Sequence, residues 1–134
     1  MLRTFIHGKI HRIRVTECKL GYNGSAEIDT ALLSAAGISP YEQIQVVNMN
    51  NGERLETYAI PEPFGSRRMV MNGAAARKGQ VGDRIIIMSF CRLDEADVRD
   101  GKHKPRVLRL DENNEPVRAL PHAPTTDEIA SMLG

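Results

Sequence analysis

Turn signals cut this chain into pieces too short for long helices: Asn23-Gly24, Asn51-Gly52, Pro61 with Pro63, Asn72-Gly73 and Val81-Gly82-Asp83. Asn-Gly favours the positive φ of tight turns, and Asn51-Gly52 is the strongest hairpin signal present. The pieces between these signals alternate apolar with polar residues or run β-branched. Strands are therefore expected over 5–18, 43–49, 53–60, 68–71, 84–90 and 106–110. In the first, Ile13 and Val15 alternate strictly while Ile10 falls off that register, so a bulge or break is expected beside it. Arg84 to Phe90 is the most apolar run and reads as a central buried strand.

Helical signals are few. Asp29 is placed to cap a short helix carrying Leu32, Leu33 and Ala36, with Gly37 closing it and Pro40 preventing its continuation. Ala74-Ala75-Ala76 either begins a helical turn or leaves the backbone open to a ligand. Thr125 to Leu133 predicts a terminal helix, with Thr125 and Glu128 as a capping box. Short strands with small helices predict a mainly β fold, a small six-stranded barrel, as one domain over 1–134.

Charge narrows the function. Eighteen Lys and Arg nearly balance seventeen Asp and Glu, which argues against a nucleic-acid partner that needs a basic excess. Three Tyr, three Phe and no Trp leave little for base stacking. Cys18 and Cys91 lack metal-ligand spacing and are too few for a disulfide scaffold, so reduced thiols in the cytoplasm are expected. The N-terminus lacks an apolar signal core, and no stretch is long enough to span a membrane.

Gly24-Ser25 admits more than a turn. The Ser25 hydroxyl can attack the Gly24 carbonyl carbon and turn the amide into an ester, because glycine leaves that carbon unshielded and its backbone free to strain. Gly65-Ser66 is a second copy of the dipeptide, so context must decide. On the strand over 53–60, period two puts Arg54, Glu56 and Tyr58 on an outward face and Leu55, Thr57 and Ala59 on the core face.

The segments Gly8-Lys9-Ile10-His11-Arg12, Tyr22-Asn23-Gly24-Ser25, Thr57-Tyr58-Ala59-Ile60 and Asn72-Gly73-Ala74-Ala75-Ala76 are similar in order and spacing to those of the pyruvoyl-dependent aspartate decarboxylases. The likeness runs from Met1 to about Arg92, and from about 93 the tail is variable. It implies a double-psi barrel, made as a precursor that cuts itself into 1–24 and 25–134. The ester from Ser25 eliminates to dehydroalanine, which hydrolyses to a covalent pyruvoyl group and ammonia. That group takes the place of pyridoxal phosphate, forming an imine with L-aspartate so that carbon dioxide leaves and β-alanine is made for pantothenate. No metal is implied.

Roles follow from the same resemblance. Thr57 resembles the residue that bonds near the Gly24 carbonyl during processing and later contacts substrate; since alternation puts it on the core side, either a twist or bulge or its backbone must bring it there. Tyr58 matches the donor that returns a proton to the carbanion, and a phenol keeps its proton at neutral pH. Arg54 can grip a carboxylate with its planar fork and Lys9 supplies a second positive charge, with the assignment between them open. Gly73, Ala74 and Ala75 match a small-residue loop along the substrate, and Asn72, Tyr22 and His11 match neighbours of the site. For His11 a hydrogen-bonded surface role is the alternative. Val47 departs from relatives that carry tryptophan there. The resemblance also implies a homotetramer with sites between subunits, and a maturation factor stays open. Two rivals remain: a non-catalytic barrel module of the double-psi or swapped-hairpin type, and a self-cleaving protein that stops before the pyruvoyl group.

Overall fold

A computed structural model describes residues 1–117. The chain runs through β1 (Leu2–Arg14), β2 (Glu17–Lys19), β3 (Ser25–Asp29), α1 (Thr30–Ala35), β4 (Gln43–Asn48) and β5 (Arg54–Glu62). It continues through β6 (Met69–Asn72), a 3-10 helix (Gly73–Lys78), β7 (Arg84–Asp94), α2 (Glu95–Arg99) and β8 (Arg106–Arg109). The fold is mainly β and barrel-like. The expected terminal helix over 125–133 lies outside the described residues.

Eight strands stand where six were expected, for two physical reasons. The first expected strand divides into β1 and β2 around Val15 and Thr16, and β3 is only five residues long, wedged between a turn signal and a helix cap. The hydrogen-bonded order is β2-β6-β3-β5-β4-β7-β1-β8. This ladder does not close on itself; the chain bridges it instead. β2 follows β1 in sequence yet pairs with β6 at the far end of the order, and Thr16 N donates to Met69 O at 2.8 Å where the two meet.

β1 departs from simple alternation, with Gly8, Lys9, Ile10 and His11 all buried. It is paired on both edges, with β7 antiparallel and β8 parallel, and register shifts fall between Ile6 and Gly8 and between His11 and Ile13. Arg12 takes a φ of 72° at the second shift, so two bulges flank Ile10. β7 runs on to Asp94. Ile85 and Ile87 face the core, while Ile86 and Met88 on the other side are half-buried, so the strand is covered more fully on one face than its apolar run predicts.

Ile10, Ile13, Ile28, Leu32, Leu33, Ile44, Met69, Ile85 and Ile87 form the centre of the core. Asp29 anchors its edge. Its carboxylate accepts from Ala31 N at 2.8 Å to cap α1, and from Gly65 N at 2.8 Å and Arg67 N at 2.7 Å to hold the chain before β6. Burial alone would raise this carboxyl's pKa. The backbone bonds from Arg67, Ala31 and Gly65, with the Arg67 guanidinium, outweigh it and hold the pKa below its ordinary value. Gly37 follows α1 at φ +71°, the left-handed position that ends many helices.

Candidate functional site

Ser25 opens β3, and two elements converge on it. β6 runs antiparallel beside β3 and sets Asn72 opposite Ser25. β5 runs parallel on the other edge with Ala59 opposite Ala26, a register that continues to bring Thr57 level with Gly24. The consequence is a pair of donors at one peptide bond. Thr57 Oγ1 donates to Gly24 O at 3.4 Å, and Asn72 Nδ2 donates to Ser25 Oγ at 3.0 Å. The Ser25 hydroxyl in turn points at Asn23 O, 3.4 Å away. Thr57 therefore reaches Gly24 from the inward face of β5, with no twist or bulge needed. Ser25 is 1% exposed although the loop before it is open to solvent.

Gly73 shows how tightly that loop is held. It sits at φ +57°, and a Cβ there would collide with the Tyr22 carbonyl oxygen and lie 2.8 Å from Gly24 N. Gly73→Ala should therefore displace the loop over 22–24 and stop any chemistry at Ser25. Gel analysis of the purified variant tests this; normal cleavage in a folded Gly73→Ala protein would refute it. Ala74 is exposed, with its nitrogen 3.9 Å from where a Gly24 Cβ would stand, and Ala75 is buried. Tyr22 is exposed, with the Lys19 ammonium 5.0 Å from its ring centre.

The remaining candidates lie on a different surface. Cross-strand register lines up Arg54 with Val47, Ile86 and His11, and in the next row Glu56 with Gln45, Met88 and Lys9. Tyr58 pairs with Gln43 in the row beyond. Residues two apart on a strand share a face, so Arg54, Tyr58, Val47, Lys9 and His11 share the face of β5-β4-β7-β1 that Thr57 does not. One chain thus does not gather all candidates at Ser25. Arg54 and Tyr58 are exposed, but Lys9 is 1% and His11 7% exposed. The surface alternative for His11 is thereby corrected. Its burial, reinforced by Lys9, Arg109 and Arg12, pushes the imidazole pKa down to about 4, so it is neutral at pH 7. Burial likewise lowers the Lys9 pKa.

Two acids went unnoticed in the sequence. Asn72 Nδ2 also donates to Glu27 Oε1 at 2.9 Å. A hydrogen bond with Glu62 holds the Glu27 carboxyl below its ordinary pKa against partial burial, with Asn72, Lys19 and Arg68 adding to the effect. Burial and the same bond push Glu62 up. Period two would have placed Glu27 beside Ser25 had β3 been recognised as a strand. Among the described residues no cluster of His, Cys, Asp and Glu could hold a metal, and no helix is long and apolar enough to cross a membrane.

Together, fold and cluster define a small barrel-like protein built around a buried serine that follows a hydrogen-bonded glycine carbonyl. The chain belongs to the aspartate decarboxylase family, whose model matches residues 1–117. It is 52% identical over 121 residues to the aspartate 1-decarboxylase of Acaryochloris marina, covering 90% of this chain and 91% of that protein. It is 48% identical over 127 residues to the aspartate 1-decarboxylase of Salinibacter ruber, covering 93% and 86%. With that of Staphylococcus epidermidis it shares 49% over 120 residues, covering 90% and 92%.

Proposed function

We propose that this chain cleaves itself between Gly24 and Ser25, converts Ser25 into a pyruvoyl group, and decarboxylates L-aspartate to β-alanine for pantothenate synthesis. The observation that carries the reading is the pair of donors at one Gly-Ser bond, Thr57 on the carbonyl and Asn72 on the hydroxyl, in a chain of this family. Attack by Ser25 Oγ puts charge on the Gly24 oxygen. The Thr57 hydroxyl is aimed at that atom, and one such donor contributes about 2.7–4 kcal/mol in enzymes generally. The Gly24 C–N bond gives way to a C–Oγ bond as the hydroxyl proton passes to the Ser25 nitrogen. Loss of the Ser25 Cα proton then breaks Cβ–Oγ, and the oxygen departs as the Gly24 carboxylate. Water displaces the nitrogen as ammonia.

The residues present suit a small carbonyl group at position 25. Asn72 Nδ2 donates there from a buried position, and Gly73 supplies backbone without a side chain beside it. Once formed, the group supplies an electron-accepting carbonyl for decarboxylation. Arg54 grips a substrate carboxylate, Lys9 adds a second positive charge, and Tyr58 returns the proton to the α-carbon. Thr57, Gly73, Ala74 and Ala75 border the substrate, with Tyr22, Asn72 and neutral His11 supporting.

Arg54 and Tyr58 face away from their own chain's Ser25 cluster, which supports sites completed between subunits of a homotetramer. Exposed Phe90 on β7, whose partner on β1 is Ile6, adds apolar surface for such a contact. Light scattering on the active protein should give four chains; a fully active monomer would refute the shared site. Two free thiols, Cys18 and Cys91, fit a reducing compartment, and the cytoplasm is the location we propose.

Intact mass tests the whole reading. Two fragments are expected, the larger lighter by one ammonia than a chain beginning at Ser25. A larger fragment that keeps the ammonia would mean simple ester hydrolysis. A single full-length mass persisting on warm incubation would favour the non-catalytic barrel.

A further inference from the structure

Asn72 gives one side-chain nitrogen to two acceptors, Ser25 Oγ at 3.0 Å and Glu27 Oε1 at 2.9 Å, while its own Oδ1 is buried without a partner. A carboxamide can sit in either of two orientations, and an orphaned buried carbonyl disfavours this one. Something must hold it. An ionised carboxylate accepts hydrogen bonds and donates none, so Glu27 can only face the nitrogen. Were Glu27 neutral or absent, the amide could turn and let Oδ1 accept from the Ser25 hydroxyl. The serine oxygen would then lose its donor.

We propose that Glu27 is a positioning residue for self-cleavage, holding the Asn72 amide so that its nitrogen donates to Ser25 Oγ. This rests on the self-processing reading above and extends it to a residue outside the Gly-Ser motif. The donor matters at both covalent steps. It lowers the cost of withdrawing the hydroxyl proton, and later it stabilises Oγ as that atom leaves with the Gly24 carboxylate.

The surroundings of Glu27 keep it able to do this. From β5, Glu62 shares a hydrogen bond with it and is the member of the pair that retains a proton more readily. Arg68, just before β6, lies 3.4 Å from Glu62 Oε1 and bonds Glu17 on β2 at 2.6 Å. Lys19 on β2 adds positive charge. The cations favour the ionised form of Glu27, and protonation of Glu62 relieves the repulsion between the two acids.

The test follows cleavage of freshly purified full-length precursor on gels, with no substrate present. Glu27→Gln is expected to slow fragment appearance by roughly 10-fold or more, since hydrogen bonds to charged groups are the stronger class. In an Asn72→Ala background the same change should have no further effect, because Glu27 acts only through that amide. The ratio of parent to Glu27→Gln rates should stay constant through neutral and mildly acidic pH and shrink toward one only below the ordinary carboxylate range, where Glu27, held low by its neighbours, itself protonates. Should Glu27→Gln fail to fold by circular dichroism, Glu27→Ala is measured in its place, with the same expectation.

Parent-like cleavage of a folded Glu27 variant would overturn the proposal and leave self-processing intact. Equal slowing with and without Asn72 would also overturn it, showing a merely structural role. If the parent chain itself never cleaves, the self-processing reading fails and this one falls with it.

Discussion

Ser25→Ala is expected to remain a single uncleaved chain with no decarboxylase activity. The variant removes the only atom that can attack Gly24 from the adjoining side chain, and with it the proposed precursor of the reactive carbonyl. Its fold should survive, because Ser25 makes few contacts that alanine lacks and alternation along β3 continues with Ala26 and Ile28 in the core. Ser66→Ala is the matched control. Gly65-Ser66 repeats the dipeptide, but among the described residues Ser66 Oγ accepts only a long bond from Arg68 N at 3.4 Å. No side-chain hydroxyl among the described residues addresses the Gly65 carbonyl. Cleavage should proceed at the parent rate in Ser66→Ala. Fragments from Ser25→Ala would sink the proposed chemistry, and loss of fragments in Ser66→Ala would relocate it.

Tyr58→Phe should separate maturation from turnover. The proposed processing uses the Ser25 hydroxyl, the Thr57 donor and the Asn72 amide; Tyr58 supplies none of these and lies 38% exposed on the opposite face of β5. Decarboxylation needs a proton returned to the α-carbon, and loss of a general acid typically lowers rates by about 10²–10⁴-fold. Phenylalanine keeps the ring, so packing should change little. The variant should cleave normally, lose its ammonia and bind aspartate covalently when treated with borohydride, yet release β-alanine very slowly. Near-normal β-alanine release would mean the proton comes from water or another group. Failure to cleave would mean Tyr58 also shapes the precursor loop.

The parts of this fold that were legible in the sequence are the local ones. Asn51-Gly52 sets the β4–β5 hairpin, and Asp29 caps α1, because turn and cap chemistry acts within a few residues. Period two correctly divided Arg54 and Tyr58 from Thr57. Long-range pairing was not legible. β3 has too few residues to show a pattern, so the acid beside Ser25 escaped notice. Lys9 and His11 are buried because β1 is paired on both edges and bulged on both sides of Ile10, which no count along the strand reveals. The contact between Thr57 and Gly24 arises from parallel register between β3 and β5, a relation between strands far apart in sequence.

The way β1 and β2 lie toward opposite ends of the strand order bears on what a cut at Gly24 would do to the molecule's history. Residues 1–24 would stay in place afterwards, clasped by β7, β8 and β6, so the finished protein would look almost unchanged. Its route back from the unfolded state would nonetheless be gone. The intact precursor finds these pairings as one tethered chain, whereas two separate pieces must meet by diffusion, and that encounter weakens with every dilution. A mature molecule, once unravelled, would carry no covalent instruction for reassembly.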